Sequence, residues 1–140
     1  MRALLLTLLL FASSVFADMA TVVAIRGDVY VDDQMLLQGE PIAVGSTIKT
    51  GPRSFVVLHF EDGAKITIRP SSTVTIEKYD YLASNEAEIS LVQGGLRIIT
   101  GAMAKTDPEN YKVRTPVALM GVRGTEFSVM LMDENYEDIQ

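Results

Sequence analysis

Beyond residue 17 the chain alternates. Apolar and polar side chains exchange at nearly every step across short runs, while a 3.6-residue period is almost absent. The runs are separated by Gly, Asp, Asn, Pro and Ser at intervals of about ten residues, the spacing of a sandwich, barrel or β-solenoid. Early strands are predicted over 21–25, 29–31 and 47–50. The clearest unit is a hairpin with arms 55–60 and 64–69, joined by Glu61-Asp62-Gly63; Asp-Gly is a strong hairpin signal. Val56, Leu58 and Phe60 share one face of the first arm. Ile66 and Ile68 supply the matching face of the second, and Lys65, Thr67 and Arg69 point the other way. Pro70 ends the arm because it has no amide to donate to a ladder.

The pattern continues with an alternating strand over 73–77, Val74 and Ile76 inward. The stretch 79–87 reads as an exposed loop. Runs at 88–92 and 96–99 flank Gln93-Gly94-Gly95, a turn or bulge. A loop at 106–110 precedes a strand from Tyr111, and Phe127, Val129 and Leu131 alternate inward in a final strand. The expected fold is all-β: a single antiparallel β-sandwich or a short β-solenoid-like stack of hairpins. Spacing does not separate the two.

The first residues carry a different pattern. Arg2 supplies a positive start, 4–12 a short apolar stretch, and Val15-Phe16-Ala17 a small-x-small cleavage site. Residues 1–17 are therefore expected to be a signal peptide, with the mature domain over 18–132 and an acidic end at 133–140. The apolar stretch is short for a bilayer span, so no membrane span is expected after cleavage. The protein is expected in the periplasm or secreted.

Composition narrows the function. The chain has 140 residues, a net charge of −6 and no cysteine. Its acidity argues against nucleic acid and against anionic membrane surfaces. Without cysteine there are no disulfides, thiolate metal sites or cysteine nucleophiles, and no lipid-anchored cysteine. A mature length of about 120 residues is enough to hold a domain by its core alone.

No catalytic constellation emerges. His59 is the only histidine, and it alternates onto the face opposite Leu58 and Phe60, as a surface strand residue. No serine sits in a nucleophile elbow. Asp32-Asp33 and Glu61-Asp62 read as solvated turn residues, without the Asp-x-Asp-x-Asp-Gly spacing of a calcium loop. Gly121-x-x-Gly124-Thr125 lacks the lysine of a phosphate loop and is followed by a strand. No enzyme activity, cofactor or metal is expected. Tyr79, Tyr81 and Tyr111 flank the longer loops, where tyrosines suit interfaces or sugar stacking.

The segment Thr115-Pro116 through Gly121-Val122-Arg123-Gly124-Thr125-Glu126-Phe127 is the most specific local feature. A strand stops, the backbone turns at glycines, and a second strand begins at Thr125. Arg123 at the corner has two readings. It is partly buried and pairs with a carboxylate (Glu126 or one from another strand) or with strand-end carbonyls, or it is exposed and contacts a partner. The first is the expected one.

With its Thr-Pro before and Glu-Phe after, this run resembles the signature of the FecR-type domain family of envelope signalling regulators. The resemblance extends over Gly45 to Ile48, Gly51 to Ser54, Phe60 to Ala64, Pro70-Ser71 and Gln93 to Arg97, so nearly the whole mature chain is covered. It implies a non-catalytic periplasmic interaction domain that binds an envelope protein, in signalling or assembly. Two departures stand out. Signalling relatives carry a cytoplasmic anti-sigma region and a transmembrane helix before this domain, where this chain has a signal peptide. Many relatives also continue with further strands, so either this domain is minimal or the sequence is cut short. The alternative is a carbohydrate- or peptidoglycan-binding module, which needs an exposed aromatic platform. The chain has no tryptophan, and aromatics are only 7%.

Overall fold

A computed structural model describes residues 18–132. The expected signal peptide at 1–17 and acidic end at 133–140 lie outside the described residues. The strands are β1 (Asp18–Arg26), β2 (Val29–Val31), β3 (Gln34–Met35), β4 (Pro41–Ala43), β5 (Thr47–Thr50), β6 (Phe55–Phe60), β7 (Lys65–Ile68), β8 (Thr73–Asp80), β9 (Glu86–Gln93), β10 (Gly95–Ile99), β11 (Tyr111–Arg114), β12 (Leu119–Gly121) and β13 (Glu126–Met130). One sheet runs β13-β10-β7-β6-β1-β4, the other β12-β11-β9-β8-β5-β2-β3. The all-β expectation holds. Pairing is antiparallel except between β9 and β11, which run parallel.

Alternation in the sequence becomes inside and outside. Val56, Leu58 and Phe60 on β6 and Ile66 and Ile68 on β7 are buried, and the register pairs Val56 with Ile68 and Leu58 with Ile66. The inward faces of both sheets form one core, with Ile48, Val74, Ile76, Ile89, Leu91, Leu96 and Ile98 essentially inaccessible.

The path is a repeat. The stretch Gly45-Ser-Thr-Ile-Lys-Thr-Gly-Pro-Arg-Ser54 recurs, shifted by 18 residues, as Gly63-Ala-Lys-Ile-Thr-Ile-Arg-Pro-Ser-Ser72. Each copy ends in a Pro-x-Ser turn whose middle residue has positive φ, 57° at Arg53 and 53° at Ser71. Each turn serine is buried and receives an amide: Asp28 N–H donates to Ser54 Oγ at 2.9 Å, and Gly95 N–H donates to Ser72 Oγ at 2.9 Å. Each such amide follows a glycine at positive φ, Gly27 or Gly94, where a Cβ would collide with the serine. These knots carry the chain between the sheets.

Three local expectations change. Gln93-Gly94-Gly95 is a crossover, because β9 and β10 lie in different sheets. The predicted loop over 79–87 is mostly strand, since β8 continues to Asp80 and β9 starts at Glu86. A five-residue helix, α1 (Ala102–Thr106), was not foreseen; it is too short for its period to show.

The ends of the sandwich differ. At one end the 36–40 segment ties the sheets together: Leu36 N–H donates to Val29 O on β2 at 2.9 Å, and Gly39 N–H donates to Val22 O on β1 at 2.9 Å. Leu36 is buried there. At the other end, bounded by β12 and β13, Met120, Phe127, Val129 and Leu131 are only partly buried.

Candidate functional site

The signature segment folds as a hairpin followed by a corner. Thr115 N–H donates to Ala118 O at 2.8 Å, and Thr115 Oγ1 accepts the Ala118 amide at 3.0 Å. This side-chain turn buries Thr115 and lifts Pro116 and Val117 into solvent. Strand β12 then pairs with β11, Gly121 lying opposite Lys112. Val122 goes inward, fully buried, its amide donating to Tyr111 O at 2.9 Å.

Arg123 follows an inward residue and so points out. Its side chain is 76% exposed, and its carboxylate neighbour among the described residues is Glu109 at 3.6 Å, itself 83% exposed. The expectation of a partly buried Arg123 is thereby corrected: Val122 takes the inward position. Glu126 is not its partner either. Glu126 accepts from Arg97 Nε at 2.6 Å across the β10–β13 pair, and this bond holds its carboxyl below the usual carboxylate range.

The two glycines differ. Gly124 has φ +95°, and its carbonyl accepts from Thr100 Oγ1 at 2.8 Å. Thr125 O accepts the Thr100 amide at 3.0 Å, so Thr100 pins the corner to the end of β10. Gly121 lacks positive φ, and an added Cβ would come no nearer than 4.0 Å to Pro108 O. Its backbone does not require glycine. Phe127 is half-buried on β13, opposite Ile98. Arg123, Gly124 and Thr125 line a depression of about 460 Å³ with Ala104, Lys105 and Pro108. Lys105 and Arg123 are the cations on its rim.

Behind this corner lies a buried polar cluster. Asp62, expected in solvent, is 8% exposed. It accepts from Tyr79 Oη at 2.7 Å, from the Ala64 amide at 3.2 Å and from the Met103 amide at 3.2 Å. The Asp62 carbonyl takes the Ala102 amide at 2.9 Å. The hairpin turn thus caps the start of α1.

Tyr79 stacks on Phe60 with ring centroids 4.2 Å apart and meets Tyr111 edge-on at 6.0 Å. Burial pushes both phenols above the ordinary tyrosine range. The Tyr111 hydroxyl is buried without a hydrogen-bond partner among the described residues. Tyr79 and Tyr111 are therefore core residues and cannot form a sugar-stacking platform; of the three loop tyrosines only Tyr81 is exposed. His59 is exposed on β6, as expected.

Among the described residues no three His, Cys, Asp or Glu side chains are placed to hold a metal ion. No described helix is long and apolar enough to cross a membrane. Together these residues form a two-sheet all-β domain with an exposed arginine corner turned at Gly124. The FecR protein family matches residues 46–137, and the chain belongs to that family of signalling-related regulatory domains. No curated protein and no solved structure matches the chain.

Proposed function

We propose that the protein is a non-catalytic, periplasmic FecR-type domain that binds another envelope protein through its signature corner. The observation that carries this reading is the position of Arg123. The guanidinium at the centre of the family signature stands outside the fold, and among the described residues it is held only by a long contact to an exposed glutamate. Exposed pairs of this kind add little to stability. Lys105 beside it makes the depression a fit for an acidic or carbonyl-rich contact. Export by the N-terminal segment would deliver the domain to the compartment where such partners lie.

In-cell crosslinking of the tagged protein, followed by mass spectrometry, tests the reading. One reproducible envelope-protein adduct is expected, and Arg123→Ala should abolish it while changing unfolding stability by no more than about 0.5 kcal/mol. An adduct that survives in Arg123→Ala would move the interface elsewhere. Retention on cell-wall sacculi with no protein adduct would overturn the reading.

A further inference from the structure

Leu82 is 85% exposed in the turn between β8 and β9, with Tyr81 beside it also exposed. A lone apolar side chain on a surface is ordinary, but this one is held out by its turn. Asp80 Oδ1 accepts the Ala83 amide at 3.0 Å, and Asp80 Oδ2 accepts the Ser84 amide at 3.2 Å and Ser84 Oγ at 3.1 Å. Asn85 follows with φ +54°, in the left-handed region that asparagine tolerates. Its side-chain amide donates to Asp107 Oδ2 at 2.6 Å. The turn is fixed from both sides, so binding through Leu82 orders little that is not already ordered.

The Asn85–Asp107 bond also locates the turn. Asp107 precedes the single helical turn Pro108–Asn110, and Glu109 of that turn meets Arg123 at 3.6 Å. Ala87, near the start of β9, stands beside Tyr111, whose carbonyl takes the Val122 amide. Leu82 and the Lys105–Arg123 depression therefore lie on the same rim of strand ends. Strand β13 leads away from this rim, from Ile99 toward Gly95 along β10. A standard interface covers about 800 Å² on each partner, enough to span both features.

The charges select the occupant. Lys105 and Arg123 are the cations lining the depression, and Asp80, Asp107 and Glu109 lie along the path from it to Leu82. A surface of uniform negative charge, such as an anionic bilayer or an acidic glycan, would meet those carboxylates wherever it met the cations. A protein that offers a single carboxylate, with an apolar socket beside it, avoids that repulsion. We propose that Leu82 is the second anchor of the Arg123 interface: an envelope protein other than this chain seats Leu82 in an apolar pocket and sets an aspartate or glutamate carboxylate between Lys105 and Arg123. The inference rests on the reading of Arg123 as an interface residue and adds to it a second contact and the chemistry of the partner.

Two crosslinks test it, each mapped by mass spectrometry on the full chain. A photoreactive aromatic in place of Tyr81, used in cells, should trap one envelope protein. A water-soluble carbodiimide, which joins a lysine amine to a carboxyl as an amide, should link Lys105 in isolated envelopes to an Asp or Glu of that same protein. Leu82→Ser should lower the yield of the Lys105 adduct by at least about tenfold. Its unfolding stability should match the natural sequence, because the side chain is already in water. An adduct that Arg123→Ala abolishes and Leu82→Ser leaves intact would overturn the second anchor while keeping the corner as an interface. No adduct, or one indifferent to both substitutions, overturns both readings. A crosslink from position 81 into the same chain or a second copy of it would overturn the proposal. So would binding to phosphatidylglycerol vesicles or sacculi that Leu82→Ser abolishes, with no protein adduct.

Discussion

Asp62 occupies a hairpin turn, where a carboxyl ordinarily faces water, yet it gathers three donors in the interior. Removing it leaves the Tyr79 hydroxyl and two amides buried without acceptors. Asp62→Ala is expected to cost about 3 kcal/mol, and Asp62→Asn, which keeps one acceptor oxygen, about half of that. Urea unfolding with an unchanged slope checks both. Nothing local in Glu61-Asp62-Gly63 announces this role, because the residue that completes it, Met103, lies 41 positions away. Arg123 is the opposite case. Its place at a corner was legible from Gly124, whose positive φ the sequence pattern implied. Its exposure was not, because that depends on which side chain of the Val122-Arg123 pair turns inward.

At the scale of elements, legibility followed sequence distance. The β6–β7 hairpin was readable to its register, since alternation and an Asp-Gly turn sit within the fifteen residues Phe55 to Arg69. The crossovers were not. Gly94 signalled a turn, but whether the chain reverses within a sheet or passes between sheets depends on Ser72, which receives the next amide.

The two Pro-x-Ser knots look equivalent in sequence but differ in surroundings. Gly95 is buried at its knot, whereas Asp28 is exposed at the other. Water can replace Ser54 Oγ for the Asp28 amide but cannot easily reach that of Gly95. Ser72→Ala should therefore cost about 2 kcal/mol and Ser54→Ala less than about 1 kcal/mol, measured by chemical unfolding. Equal losses would show that both knots are sealed from solvent.

The whole molecule folds around two phenols that burial holds above their ordinary range. The consequence is a stability limit on the alkaline side. In the unfolded chain tyrosines ionise near about pH 10. Below that, folded and unfolded states both keep the protons of Tyr79 and Tyr111, and these groups contribute no pH dependence. Above it the unfolded chain loses them while the folded protein does not. The unfolded state then binds fewer protons, and stability falls as pH rises, by up to about 1.4 kcal/mol per pH unit for each phenol. The net charge of −6 adds repulsion in the same direction. Tyr111→Phe separates the two effects, because it removes one buried phenol without altering that charge at neutral pH. The Tyr111 hydroxyl has no partner among the described residues, so its loss should leave stability at about pH 8 unchanged or raise it by up to about 1 kcal/mol. Urea unfolding at about pH 8 and about pH 11 should show a shallower alkaline decline in Tyr111→Phe than in the natural sequence. An identical decline in the two proteins would mean that general charge repulsion, not the buried tyrosine pair, sets the alkaline limit.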